Sequence, residues 1–412
     1  MIKEIEKNNT LIVKGPTRVN LLEGKIDVLG KKIEPEESKE VKKDTKDFLV
    51  DDESVLIVPS GNTYPLFTLE KSKLEIFTST EDENLFLIDE NSIVDEWIEI
   101  KDELIETINK GEVSPLKIMV LGISCGKTTF CKYLANNFLD QGFKGAYLDS
   151  DLGQQMFFTT TLNIGRVENP LLTNDDVESE FMAFVGSTYP KGNLKFIVSQ
   201  SSKDLIDEYL DDNNDTDYIL IDTDGWIKSE AGIIYKKFFI KTVNPDVLVI
   251  FYDEEIEELE QIEEMAKLRK DRIIYRIEEK NTYYYEKSKE ERRWLRQSII
   301  SKRFEDFMKI SIPLDDIKFI KKDYDVEADE VIEKEIPVEE LIKLPYHYVI
   351  IAMLDENSDL INIGLLFTIN IEKNYILIFS DLNYKEQMRI KKIALGSLRL
   401  STKGNHQGYL YL

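Results

Sequence analysis

An apolar run, Leu116–Leu121, opens directly into Gly122-Ile-Ser-Cys-Gly126-Lys127-Thr128-Thr129, and a helical period starts at once over Lys127–Gln141. A buried strand that turns through glycines into a helix aims several backbone N–H groups and a helix N-terminus at one point. A dense anion such as a nucleotide triphosphate suits that point. The candidate contacts are Gly122, Ser124, Cys125, Gly126, Lys127, Thr128 and Thr129. Gly126 lets the backbone approach closely, Lys127 reaches the β- and γ-phosphates, and the Thr128 hydroxyl takes Mg²⁺. The spacing departs from G-x-x-x-x-G-K-[ST]: counting back from Gly126, the first glycine position falls on Leu121, and Gly122 follows one place late. A Gly-Lys-Thr can follow a strand by chance, but an apolar strand before it and an amphipathic helix behind it favour the nucleotide reading.

The surroundings continue the alternation. Gly145–Leu148, Phe181–Val185, Tyr218–Ile221 and Val247–Tyr252 are short apolar runs of strand length. Strands alternating with helical stretches predict a mostly parallel sheet covered on both faces. An acidic helix is expected over Asp253–Glu264 and a basic one over Lys287–Phe307. The first hundred residues read as β structure, a small sandwich or barrel, with the charged stretch Lys31–Lys46 as a loop or edge strand. Helical spacing runs from about Ile93 to Asn109, Lys110–Pro115 reads as a linker, and β patterning returns from about Ile312. The predicted fold class is α/β: a central P-loop NTPase-type sheet flanked by N-terminal and C-terminal β-rich domains. The expected boundaries are 1–95, 96–310 and 311–412.

Composition narrows the chemistry. Only Cys125 and Cys131 are present, too few for a disulfide framework or a structural zinc site. His347 and His406 are the only histidines, which disfavours a Ser-His-Asp triad or a histidine-ligated metal. Lys, Arg, Asp and bound phosphate must carry the reaction. A net charge of -26 argues against a surface coated for duplex DNA, yet binding needs only a local positive channel. Lys287–Arg303 supplies one, with seven basic residues against two acids, or else it is a solvated helix face paired with the acidic helix. No apolar run approaches a membrane span and the N-terminus lacks a signal-peptide pattern, so the expected setting is cytoplasmic, nuclear in a eukaryotic source.

The second strand ends in Tyr147-Leu-Asp149-Ser-Asp151-Leu-Gly-Gln154. Carboxylates at a strand's C-terminal end beside a phosphate loop are placed to handle Mg²⁺ and the attacking hydroxyl. Strand alternation sets Asp149 and Asp151 on one side, so that one faces the metal and the other the nucleophile. The plainer reading is a pair of solvated loop acids. Asp222 and Asp224 are either a second shell to the metal or turn formers.

With these residues in place, the chain resembles the Clp/Grc family of polynucleotide 5′-hydroxyl kinases of RNA processing. Asp149-Ser-Asp-Leu-Gly-Gln154 is similar to the family's D-x-D-x-G-Q segment, and Phe184-Val-Gly-Ser-Thr-Tyr-Pro-Lys-Gly-Asn193 to its clasp. Ile221-Asp-Thr-Asp-Gly-Trp-Ile227 resembles its N/D-T-x-G-W-I turn, and Glu286–Arg296 its arginine-rich lid helix. Ile363-Gly-Leu-Leu and Ala394-Leu-Gly-Ser-Leu-Arg fit the β-rich flank. The resemblance implies ATP and Mg²⁺ as cofactors and RNA 5′ ends as substrate, with DNA as a second acceptor and protein partners in RNA processing. It implies Lys127, Asp151, Arg292 and Arg296 as catalytic residues. Gln154, Thr188, Asn193, Trp226, Lys287 and Arg293 would bind substrate, and Thr128, Asp149 and Asp151 the metal. Trp226 is otherwise a core residue, and Cys125 a small filler. The departures are Lys287 in place of the first lid arginine, Phe158-Thr-Thr-Thr161 in place of a Pro-rich turn, and the shifted glycine. Two other functions remain open: an ATP-holding scaffold without turnover, and a P-loop ATPase or GTPase switch, though the chain has no N-K-x-D element.

Overall fold

A computed structural model of the 412-residue chain describes residues 1–35, 54–79, 81–123, 126–153, 159–173, 176–279, 288–315 and 317–410. Its centre is a seven-stranded sheet in the order Phe181–Phe184, Thr161–Arg166, Gly145–Asp149, Tyr218–Asp222, Leu116–Leu121, Val247–Phe251, Ile273–Ile277. The last five run parallel, and Thr161–Arg166 runs antiparallel to its neighbours on both sides. Alternate residues face opposite layers. Met119 and Leu121 join one core with Leu148 and Ile221. Ile118 and Val120 join the other with Tyr147 and Leu220. The near-continuous apolar runs follow from burial on both faces.

Register decides where the chemistry can sit. Asp222 pairs with Val120 on one side and with Asp149 on the other. The carboxyl ends of three neighbouring strands therefore finish level, at the place where an open α/β sheet binds its ligand.

The N-terminal region folds into two packed antiparallel sheets of four and five strands. Alternation along Thr63–Thr68 and Ser72–Thr78 sends Tyr64, Leu66, Leu74 and Ile76 into their common core. The C-terminal region is an eight-stranded sheet from Met308–Pro313 to His406–Tyr409. The helices Asp95–Lys110, Lys127–Asp140 and Glu257–Ala266 lie near their expected positions, and the basic helix spans Lys289–Arg303. No helix among the described residues is long and apolar enough to cross a membrane.

The basic helix touches all three regions. Its start is closed by a capping box, in which Ser288 accepts from the Glu291 N–H and Glu291 accepts from the Ser288 N–H. Leu295 stands against Gly61 of the N-terminal sheets, at 3.4 Å from where a β-carbon there would be. Ile300 and Phe304 enter a core of the C-terminal sheet, and the Gln297 amide donates to Asn405.

Candidate active site

The phosphate loop leaves the sheet at Leu121. Gly122 and Gly126 have φ of 152° and 92°, backbone that a side chain would strain, and Gly126 caps the helix Lys127–Asp140. Lys127 is nearly buried, while Thr128 is exposed at the mouth of the loop. Ser124 and Cys125 lie outside the described residues, as do Gln154 and Lys287.

The Thr128 hydroxyl donates to Asp222 Oδ2 at 2.6 Å, and the buried Tyr147 hydroxyl donates to the same oxygen at 3.0 Å. Asp222 Oδ1 is buried with no hydrogen-bond partner among the described residues. Burial pushes the Asp222 carboxyl up, and Lys127 and Thr128 pull it back. An unsatisfied buried carboxylate oxygen beside an exposed threonine hydroxyl forms a donor set for a hard cation completed by phosphate oxygens. No group of three or more His, Cys, Asp or Glu side chains among the described residues could hold a metal alone.

The alternation expected for Asp149 and Asp151 does not apply, because the strand ends at Asp149. Asp149 Oδ1 accepts from the Asp151 N–H at 3.1 Å, and Asp151 Oδ1 accepts from the Gly153 N–H at 2.9 Å. Each carboxylate thus shapes the turn that follows it. The turn is pinned to its neighbour strand: the Ser150 N–H and hydroxyl donate to the Asp222 carbonyl at 3.0 and 2.6 Å. Burial first, and then the charge of Asp224, push the Asp151 carboxyl up to about 6, against the opposing pull of the Gly153 N–H and Lys127.

The turn after Asp222 closes the third side. Asp224 is nearly buried; it accepts from the Trp226 N–H at 2.8 Å and the Tyr235 hydroxyl at 2.7 Å, and it forms an ion pair with the fully buried Lys236 Nζ at 3.2 Å. A β-carbon on Gly225 would stand 3.6 Å from the Gly122 carbonyl and 3.9 Å from Lys127 Nζ, so the turn lies directly on the phosphate loop. Trp226 is half-buried, its ring 5.8 Å from that of Tyr235.

Above these, Arg296 and the Thr188 carbonyl both approach Gly153, 3.6 and 3.2 Å from a β-carbon built there. The structure so gathers Lys127, Thr128, Asp149, Asp151, Asp222, Thr188 and Arg296. Arg292 lies half-buried on the same helix and Arg293 is exposed. Asn193 turns elsewhere: its amide donates to Asp323 Oδ1 at 3.0 Å on the C-terminal sheet. Asn193 and Lys334 hold the Asp323 carboxyl down at about 2. Sequence reasoning left Asp222 undecided and passed over Tyr235 and Lys236. The signal for Asp222 was present, since Tyr218–Ile221 is an apolar strand run that ends in an acid.

A glycine-turned loop at the carboxyl edge of a parallel sheet, with a threonine hydroxyl on a carboxylate and an arginine helix overhead, defines a P-loop nucleotide-binding domain of the kinase type. The model for the mRNA cleavage and polyadenylation factor CLP1 P-loop matches residues 122–306. Over this domain the chain is similar to the Clp1/Grc family. A polyribonucleotide 5′-hydroxyl-kinase of Methanocaldococcus jannaschii is 26% identical over 354 residues, 76% of this chain and 95% of that one. One of Pyrococcus abyssi is 31% identical over 224 residues, 52% of this chain and 57% of its own length. Among solved structures, a chain of the wild-type Clp1p–Pcf11p complex superposes with a TM-score of 0.73 over 97% of both chains at 13% identity, a likeness of fold.

Proposed function

We propose that the chain is a polyribonucleotide 5′-hydroxyl kinase, transferring the γ-phosphoryl group of ATP to the 5′-hydroxyl end of RNA, with DNA as a second acceptor. The observation that carries it is the convergence of Lys127, the Thr128–Asp222 pair and Asp151 on one strand edge beneath Arg296. The kinase activity of the relatives of 26 and 31% identity supports the same reading.

Phosphoryl transfer asks the protein for position and charge rather than covalent chemistry. Lys127 meets the β- and γ-phosphate oxygens at the helix N-terminus. Thr128 and Asp222 Oδ1 would hold Mg²⁺, which would neutralise charge on the triphosphate. Asp151 accepts the proton of the 5′-hydroxyl as its oxygen attacks phosphorus, and its raised pKa suits that task near neutral pH. Arg296 and Arg292 balance the charge of the departing ADP. The clasp around Thr188 and the Trp226 ring border the acceptor side. The setting we assign is RNA processing, beside a protein partner.

The test is transfer of label from γ-labelled ATP to 5′-hydroxyl RNA and DNA oligonucleotides. Label that reaches RNA and is lost in Lys127→Ala and Asp151→Asn supports the kinase. Tight ATP binding without transfer would overturn it in favour of a scaffold.

A further inference from the structure

The C-terminal sheet brings a row of rings to the rim of this site that the transfer step does not use. Tyr409 stands between two partners: its ring lies 6.2 Å from Tyr189 at 89°, and 4.9 Å from His406 at 63°. Tyr189 belongs to the clasp and His406 to the last hairpin, and both are exposed. The row has fixed supports. The Ser187 hydroxyl donates to the Tyr189 carbonyl at 2.9 Å, and the Ser397 N–H donates to the Gly186 carbonyl at 2.7 Å. The hairpin meets the basic helix where Asn405 accepts from Gln297 and Gly404 packs on Ile300.

Cations complete the pattern. Burial first, and then the charges of Arg293 and Arg296, hold the His406 imidazole below its ordinary value. Arg293 is exposed, whereas Arg296 approaches Gly153 next to Asp151. Tyr189 follows Thr188, whose carbonyl approaches Gly153 beside Asp151, so the row starts next to that turn. In a chain with a net charge of -26, rings interleaved with arginines match a single strand of nucleic acid: bases stack on rings of any kind, and guanidinium groups pair with phosphates.

We propose that Tyr189, Tyr409 and His406, with Arg293, form a track for the nucleotides that follow the 5′ end of a single-stranded RNA. The C-terminal region is then part of the substrate site. This rests on the RNA kinase reading and adds a length requirement to it.

The experiment compares a nucleoside 3′-monophosphate with a 5′-hydroxyl decaribonucleotide as acceptor, in wild type, His406→Ala and Tyr189→Ala. A 3′-fluorescein decamer is titrated in parallel by anisotropy, and thermal unfolding checks each variant. Loss of one stacking contact should raise KM and Kd for the decamer about 5- to 30-fold. In His406→Ala, KM for the mononucleotide and kcat should stay at wild-type values, and Tyr189→Trp should restore decamer binding. Equal KM changes for both acceptors, or decamer binding indifferent to both alanine variants, would overturn the track. If no acceptor is phosphorylated, the kinase reading fails separately, and the anisotropy titration still decides whether the rings hold RNA.

Discussion

Gly186 of the clasp and Gly396 of the C-terminal sheet meet back to back. A β-carbon on Gly396 would stand 2.7 Å from the Gly186 carbonyl oxygen and 2.8 Å from its Cα. Gly186 has φ of 75°, and its carbonyl accepts from the Ser397 N–H at 2.7 Å. Two motifs separated by 210 positions along the chain so share one contact that only hydrogen side chains permit. Gly396→Val should drive the clasp off the sheet. Overpacking of this kind costs about 1–3 kcal/mol. Transfer to RNA should fall at least about tenfold, with a lower melting temperature, both read against the milder Gly396→Ala.

Asp222→Asn keeps the shape of the Thr128 contact but removes its charge. A hydrogen bond to a charged group contributes about 1.5–3 kcal/mol, so transfer should drop roughly 10- to 150-fold. Magnesium titrations should show a higher half-saturating concentration in Asp222→Asn than in wild type. Unchanged magnesium dependence would remove Asp222 from the metal's donors.

Asp151 binds its proton near 6 in the folded chain, against 3.8 for an ordinary aspartate. The stability it contributes is therefore fully present below about 3.8 and is lost as the pH rises through about 6. Asp151→Asn should be more stable than wild type at pH 8, by on the order of 1–3 kcal/mol, with the gap closing near pH 4. The same variant should lose transfer, and the wild-type rate should climb with pH through about 6. Urea unfolding at three pH values and a pH–rate profile check both halves.

Lys236 is fully buried 3.2 Å from Asp224, and burial lowers its pKa while Asp224 raises it. Lys236→Met leaves the Asp224 charge without its counterion, which should cost about 3–5 kcal/mol in urea unfolding. The double variant Lys236→Met/Asp224→Asn should recover part of that loss. A double-mutant cycle measures the coupling.

Much of the architecture was legible from local pattern. Leu116–Leu121, Gly145–Asp149 and Val247–Phe251 are buried on both faces, and each reads as an apolar run of strand length. The helices Leu194–Asp212 and Glu230–Val243 received no assignment, for a physical reason. The first buries Ser199, Ser201 and Ser202 and the second buries Lys236, so neither shows a clean apolar stripe. The strand Thr161–Arg166 hides likewise, because Asn163 is buried by donating to Thr161 at 2.9 Å. Of the site, the loop and Asp151 could be found from order along the chain. The Thr128–Asp222 contact and the Asn193–Asp323 tether join residues 94 and 130 positions apart, and no local spacing encodes either.

The basic helix leans on Gly61 at one flank and on Asn405 and the C-terminal core at the other. A fragment cut to 96–310 would keep its sheet yet strip that helix of every backstop outside the nucleotide fold. Engineers who exchange parts between relatives would do better to move all three regions together, since the arginines take their aim from neighbours on either side.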